Sequence, residues 1–347
     1  MTTVPSGCPL PCQGVRLRSL PLALAVLLSA AACYSDDGDG GAAVGRSPEP
    51  PPTTAQPTTV PPTIATTTTT TEPDPATATA VVTPGGIVVP VISRAADGWM
   101  VRTPCNATAT LGQSRARSAG SPVIVLDPGH GGAEPGAVSP GGLVESGVNL
   151  AVARHTRTAL EAAGVTALLT RTGDYEVALA TRSELARTVN PKAFVSIHHN
   201  AEPDGPRDGP GAETYYQIGS ADSKRLAGLI YEEVVRAMSQ YRVAWVADRD
   251  AGAKYRPGRN GDYYAMLRQP SPVVSVLAEL AFISNPPEAE LISRADVQQV
   301  EGVALARGIL RWLRTPDPGS GFTEPYPRPE PPPSPGGGAP PCRDPQL

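Results

Sequence analysis

From Pro122 to Leu313, short apolar runs alternate with longer segments of helical spacing, and this alternation limits the fold more than any other feature. Val123 to Leu126, Val165 to Leu169, Ala193 to Ile197, Glu213 to Ile218 and Val273 to Leu280 are strand-length and rich in apolar residues. Gly147 to Ala163, Leu179 to Val189, Asp222 to Met238, Glu288 to Ile292 and Asp296 to Leu313 have the spacing of helices, and Gly164 closes the first of them. Buried strands joined through helices imply a sheet covered on both faces. The expected fold is α/β: a single three-layer domain over residues 115–315, its mixed, largely parallel sheet flanked by helices.

The rest of the 347 residues is organised differently. Residues 34–83 are crowded with Pro and Thr, including the run Thr67 to Thr71. Such a segment cannot bury enough apolar surface to offset its conformational entropy, so a disordered, extended spacer is expected. Residues 84–114 hold two β-rich runs, Ile87 to Ile92 and Gly98 to Arg102, with Ala95 to Asp97 as the turn of a small hairpin element. Residues 316–347 return to a Pro/Gly-rich tail.

Residues 1–33 have the form of an export signal: Arg16 and Arg18, then the apolar run Leu20 to Ala32. That run is too short to span a bilayer as a stable helix. Ala30-Ala31-Ala32-Cys33 followed by Ser35-Asp36-Asp37 is similar to a bacterial lipobox, with Ala30 where Leu is usual. The expectation is an exported protein of the cell envelope, anchored by lipid on Cys33 to the outer face of the cytoplasmic membrane, or else secreted. In an oxidising compartment Cys105 and Cys342 are left as a candidate pair across the two ends of the α/β region. A net charge of −4 argues against nucleic acid as a partner, because phosphate binding needs a basic face. The expected state is a monomer.

The chain has four histidines: His130, His155, His198 and His199. Asp127-Pro128-Gly129-His130-Gly131-Gly132 follows the first strand, and Ser196-Ile197-His198-His199-Asn200 ends the third. Ligands of α/β sheets gather at the carboxyl ends of strands. Two histidines there are candidate zinc ligands, and an acidic residue could complete a catalytic set. Successive strand residues face opposite ways, so His198 and His199 are not expected to serve one ion together. His155, between Arg154 and Arg157 in the first helix, is expected to be solvated.

Ile124 to Gly132, then Gly142-Leu143-Val144-Glu145 leading into Asn149-Leu150, resembles the zinc-dependent N-acetylmuramoyl-L-alanine amidases of peptidoglycan. Leu169-Thr170-Arg171, Arg182, Phe194 to Asn200, Gly211 to Tyr216 and Glu279 to Asn285 follow in that family's order, so the resemblance runs from about Pro122 to Arg314. It implies one zinc ion held by His130, Glu145 and His198, with Glu279 moving a proton from water to the leaving amine. Beside this carry-over, Asn200 is a candidate substrate contact, and Asp127 is expected to orient its own turn or a ligand. Arg182 is expected to be structural, pairing with an acid. His199 departs from the family, where a small residue is usual, and stays open as an alternative ligand or a gate over the substrate.

The resemblance includes regulated members with an inserted helix that blocks the zinc. Between Ala201 and Pro272 no second long amphipathic helix is visible. The loop Ala247 to Asp262 instead carries Arg249, Lys254, Arg256 and Arg259, to grip acidic stem peptides or to stand solvated at the surface. Two other functions compete: a non-catalytic peptidoglycan-binding lipoprotein, and a zinc peptidase acting on stem peptides. All four expected functional positions are filled, and no His-Glu-x-x-His motif is present.

Overall fold

A computed structural model describes residues 75–328 and 341–347. The signal, Cys33 and most of the Pro/Thr spacer therefore lie outside the described residues. Five short strands come first: β1 (Ala80–Val82), β2 (Val88–Ala95), β3 (Gly98–Arg102), β4 (Thr108–Gly112) and β5 (Arg117–Ser118). They form an antiparallel sheet in the order β4-β3-β2-β1-β5. The hairpin expected from sequence is its β2–β3 unit. The sheet is larger than that hairpin, and β1 falls inside the stretch read as spacer. Val81, Val89, Trp99, Val101 and Leu111 make its core, joined by Tyr175 and Val177 of the larger domain and by Leu347.

The larger domain continues with β6 (Ile124–Pro128), α1 (Glu145–Ala162), β7 (Ala167–Leu169), α2 (Leu179–Val189), β8 (Ala193–Asn200), β9 (Gly205–Pro206), β10 (Glu213–Tyr216) and α3 (Ala221–Met238). It ends with β11 (Val246–Ala247), β12 (Ala253–Lys254), β13 (Pro257–Gly258), β14 (Gly261–Asp262), α4 (Ala265–Arg268), β15 (Ser275–Phe282), α5 (Pro286–Ile292) and α6 (Ala295–Arg314). Six strands form the main sheet in the order β12-β10-β15-β8-β6-β7. The four from β15 to β7 are parallel; β10 runs antiparallel to β15 and carries β12 parallel to itself.

Alternation along the strands builds the three layers. Leu126, Val195, Ile197 and Ala278 turn to one face, where Val152 and Leu160 of α1, Ile230 of α3 and Leu305 of α6 cover them. Val125 and Phe194 turn to the other, against Ala186 of α2 and Met266 of α4. The expected three-layer α/β domain with a mixed, largely parallel sheet is present. No helix among the described residues is long and apolar enough to cross a membrane.

Both ends of this domain are tied back. Cys105 and Cys342 form a disulfide, and the Asp344 carboxylate accepts from the Cys105 N–H at 2.7 Å. Past α6 the chain crosses the sheet edge. Gly321 O accepts from Ala253 N–H, and Thr323 N–H donates to Ala253 O. Arg328 then pairs with Asp248 and Asp250 at 2.7 and 2.6 Å. The stretch expected as a plain tail is thus seated on the domain at these points.

Candidate metal centre

The β6 strand ends at Pro128, and the next residues swing out of the sheet. Gly129 N–H still donates to Ile197 O at 3.0 Å, after which His130 adopts a left-handed backbone with φ +61°. Two buried arginines hold this turn by its carbonyls. Arg171 donates to the oxygens of Pro128, Gly129 and Ser146 at 3.0, 2.9 and 2.7 Å. Arg182 donates to those of Pro128 and His130, both at 2.8 Å. Burial is the main cause that lowers the Arg171 guanidinium to about 10, with the Arg182 charge adding to it. Asp127, fully buried, balances Arg182 at 2.7 Å and accepts from the Thr170 and Ser196 hydroxyls at 2.6 and 2.8 Å. Burial alone would raise the Asp127 carboxyl; the Arg182 charge and these hydrogen bonds outweigh it and hold it below its ordinary value.

Glu145 is the first residue of α1, where the helix dipole favours a carboxylate. Its Oε2 accepts from the Ala137 N–H at 2.8 Å, and Asn149 Nδ2 donates to its Oε1 at 3.1 Å. That Oε1 lies between two imidazoles, 3.3 Å from His130 Nε2 and 3.0 Å from His198 Nδ1. Ligand atoms of His130, Glu145 and His198 all fall within 4.8 Å of one another. The cradle is narrow. A Cβ on Gly129 would stand 2.1 Å from the His198 ring, and one on Gly136 would stand 2.5 Å from Glu145 Oε2.

Burial lowers the His130 imidazole, but hydrogen bonds to Glu134 and Glu145 and their charges outweigh it and raise it to about 9. The same contacts hold Glu145 far below the ordinary carboxylate range against its burial. Two imidazoles gathered on one carboxylate oxygen, with Glu134 Oε1 3.5 Å from His130 Nδ1, make a donor cluster that suits a small divalent cation. Two imidazoles and a carboxylate are the donor set of a catalytic zinc site with an open position.

Across the sheet, Glu279 of β15 pairs in register with His198 of β8 on one side and Glu213 of β10 on the other. All three face the side of the sheet that carries α2 and α4. Glu279 Oε2 is buried without a hydrogen-bond partner among the described residues. Burial first, then the negative charges of Glu145 and Glu213, push its carboxyl well above the ordinary value. Asn200 Nδ2 donates to Glu213 Oε2 at 3.1 Å, which puts Asn200 beside this row.

His199 lies apart from the cluster. It faces the opposite side of the sheet with its side chain fully buried, Nδ1 at 2.7 Å from Asn149 Oδ1 and Nε2 at 3.5 Å from Glu301 Oε2. His155 packs at the α1–α6 contact, where a Cβ on Gly302 would meet its own Cβ at 2.5 Å, so it is not simply solvated.

Of the loop cations, Lys254 departs from both readings, while Arg249 stands at the surface. Lys254 is fully buried, bonded to Glu213 and Asp250, both at 2.7 Å, and is unavailable to a stem peptide. Arg249 pairs with Asp204 at 3.0 Å, and Arg256 lies over the Tyr263 ring at 3.7 Å. A second acidic group, Glu213, Asp248 and Asp250, has ligand-like spacing, but Lys254 and Arg328 fill it. The carbonyl clamp by Arg171 and the chain from Asn149 through His199 to Glu301 were not expected from sequence. A buried-type signal existed for Glu301, which stands on the apolar face of its helix between Val297 and Leu305.

A family model described as N-acetylmuramoyl-L-alanine amidase matches residues 124–311. N-acetylmuramoyl-L-alanine amidase AmiC of Neisseria meningitidis serogroup B is 30% identical over 244 residues, covering 58% of this chain and 55% of that protein. The chain thus spans little more than half the length of that relative. N-acetylmuramoyl-L-alanine amidase AmiA of Escherichia coli is 31% identical over 229 residues, 57% of this chain and 78% of that one. The solved structure of N-acetylmuramoyl-L-alanine amidase AmiC2 of Nostoc punctiforme gives a TM-score of 0.48 at 32% identity, over 57% of this chain and 99% of that one. The family match takes in more than half of the 347 residues, and the chain belongs to the N-acetylmuramoyl-L-alanine amidase family.

Proposed function

We propose that this protein hydrolyses the amide bond between N-acetylmuramic acid and L-alanine in peptidoglycan, with one zinc ion held by His130, Glu145 and His198. The observation that carries this reading is the convergence of those three side chains, with ligand atoms within 4.8 Å, near Glu279, whose buried Oε2 has no hydrogen-bond partner among the described residues. When bound, zinc supplies Lewis acidity, polarising an amide carbonyl and acidifying water. Glu279 acts as general base and then general acid. It takes a proton as the water oxygen bonds to the carbonyl carbon, and gives that proton to the alanine nitrogen as the carbon–nitrogen bond breaks. Glu145 orients both imidazoles through Oε1. Asp127 steadies the His130 turn through Arg182. Asn200 keeps one amide hydrogen beyond its bond to Glu213 for a substrate oxygen.

The protein works in the cell envelope as an exported monomer, held at the membrane by a lipid on Cys33, with the Pro/Thr-rich stretch ahead of β1 as spacer. Replacing Cys33 by Ser should then move it from the membrane fraction to the soluble fraction without stopping export; a wild type already soluble after export removes the anchor. Digestion of purified sacculi, with mass spectrometry of the products, tests the activity. Stem peptides with a free L-alanine amino group are expected. New D-amino-acid termini would make it a peptidase, and wall binding without products would make it a binding protein.

A further inference from the structure

Behind Glu145 runs a polar chain that the proposed chemistry leaves unused. Asn149 Nδ2 donates to Glu145 Oε1 at 3.1 Å, Asn149 Oδ1 lies 2.7 Å from His199 Nδ1, and His199 Nε2 lies 3.5 Å from Glu301 Oε2. Asn149 and Glu301 are 0% exposed and His199 2%. Glu301 sits where α6 packs into the core, at the face of Val297 and Leu305, and its Oε1 has no hydrogen-bond partner among the described residues. A carboxyl group in such a place is costly to bury. The polar atom facing its Oε2 is His199 Nε2, at 3.5 Å.

The chemistry of the groups fixes the direction of the chain. An ionised Glu145 only accepts, so the Asn149 NH2 must face it and the Asn149 oxygen must face His199. His199 Nδ1 therefore carries the hydrogen. If the amide flipped, its oxygen would meet the Glu145 carboxylate and its NH2 would meet the His199 N–H. The imidazole, together with Gly129 O, which accepts from the same Nδ2 at 3.4 Å, opposes the rotation that would deprive Glu145 Oε1 of its donor. The backbone N–H of His199 adds a second, longer bond to the same oxygen at 3.3 Å.

We propose that His199, braced by Glu301, is a positioning residue of the metal centre: it locks the Asn149 amide and, through it, the Glu145 carboxylate in the orientation that receives zinc. This rests on Glu145 being a ligand. Partners behind a metal ligand typically change metal affinity by about 10–100-fold.

The test is a double-mutant cycle on zinc affinity, measured by competition with a chelator on the full protein. His199→Leu and Asn149→Ala should each weaken zinc binding by about 10–100-fold. The two together should be no weaker than Asn149→Ala alone, because His199 acts only through that amide. The visible absorption of the cobalt-loaded protein should shift in His199→Leu, which a purely structural role would not produce. Zinc affinity of His199→Leu within about twofold of wild type, or losses that multiply in the double variant, would overturn the proposal. If His199→Leu does not fold, His199→Ala enters the same cycle with the same criteria. Glu145→Gln separates the two levels. If it binds zinc as wild type does, the ligand assignment itself fails; if it loses zinc while His199→Leu keeps it, only the positioning role fails.

Discussion

Asp127 and Arg182 form an ion pair with almost no exposure; Arg182 also holds the His130 turn by its carbonyls, and Asp127 also accepts from the Thr170 and Ser196 hydroxyls. Breaking a buried pair from one side typically costs ~3–5 kcal/mol, so Asp127→Asn should lower the unfolding free energy by about that amount in urea titrations. Its pH dependence has a definite sign. Asp127 is held below its ordinary value of 3.8, so its contribution is complete above that value and is lost as the pH falls toward the lower folded value. Stability measured at stepped pH should fall on that acid limb in wild type and fall less in Asp127→Asn. The acids at the centre should divide by role. Glu279→Gln should keep zinc near full occupancy while turnover on muropeptides drops by about two to four orders of magnitude. Glu145→Gln should lose zinc, because a neutral amide oxygen replaces an anionic one. Full activity in Glu279→Gln would send the search for the proton carrier to Glu213. The strand-end histidines and the two acids were legible because motif residues lie in short, recognisable runs. The Arg171 clamp and the buried place of Lys254 were not. Both depend on carbonyls and carboxylates that are remote in sequence and meet only in the fold.

At the scale of elements, one residue step along β8 separates two chemistries, with His198 on the α2 face and His199 on the α1–α6 face. Close approach of the β6 turn to β8 needs Gly129, whose added Cβ would strike the His198 ring at 2.1 Å. Gly129→Ala should therefore push that ring out of line, and zinc per chain should drop while far-ultraviolet circular dichroism stays like wild type. Helices were read closely from spacing: α2 runs from Leu179 to Val189 as expected, and α1 starts two residues earlier than expected, at Glu145. Its early start follows from the loop, since Ala137 O and Pro135 O accept the first free N–H groups. Strand ends were harder. The run expected to reach Ile218 leaves the sheet after Tyr216, where the Gln217 side chain turns to the carbonyls of Leu267 and Val273. Two-residue strands such as β5 and β12 carry no periodicity to detect, and their pairing is set by neighbours that are far away in sequence.

At the scale of the whole molecule, the small sheet and the larger domain share more than a junction. Tyr175 and Val177 enter the small core, Arg102 pairs with Glu184 of α2 at 2.9 Å, and Thr181 donates to Thr103 O at 3.1 Å. The disulfide joins this sheet to the last residues of the chain. Loss of a native disulfide typically costs about 2–5 kcal/mol in a small secreted domain, so Cys105→Ser should lower the midpoint of thermal unfolding, as should reduction of wild type. The Cys105–Cys342 link also closes 237 residues of chain separation, which includes every residue of the candidate centre, into a covalent ring. A ring cut once is still one molecule. A protease that nicks any loop between the two cysteines would leave the halves joined, and the packed domain could keep them in place. Limited proteolysis should therefore give one band on a non-reducing gel and two after reduction, so a single cut between the two cysteines would not by itself release either half.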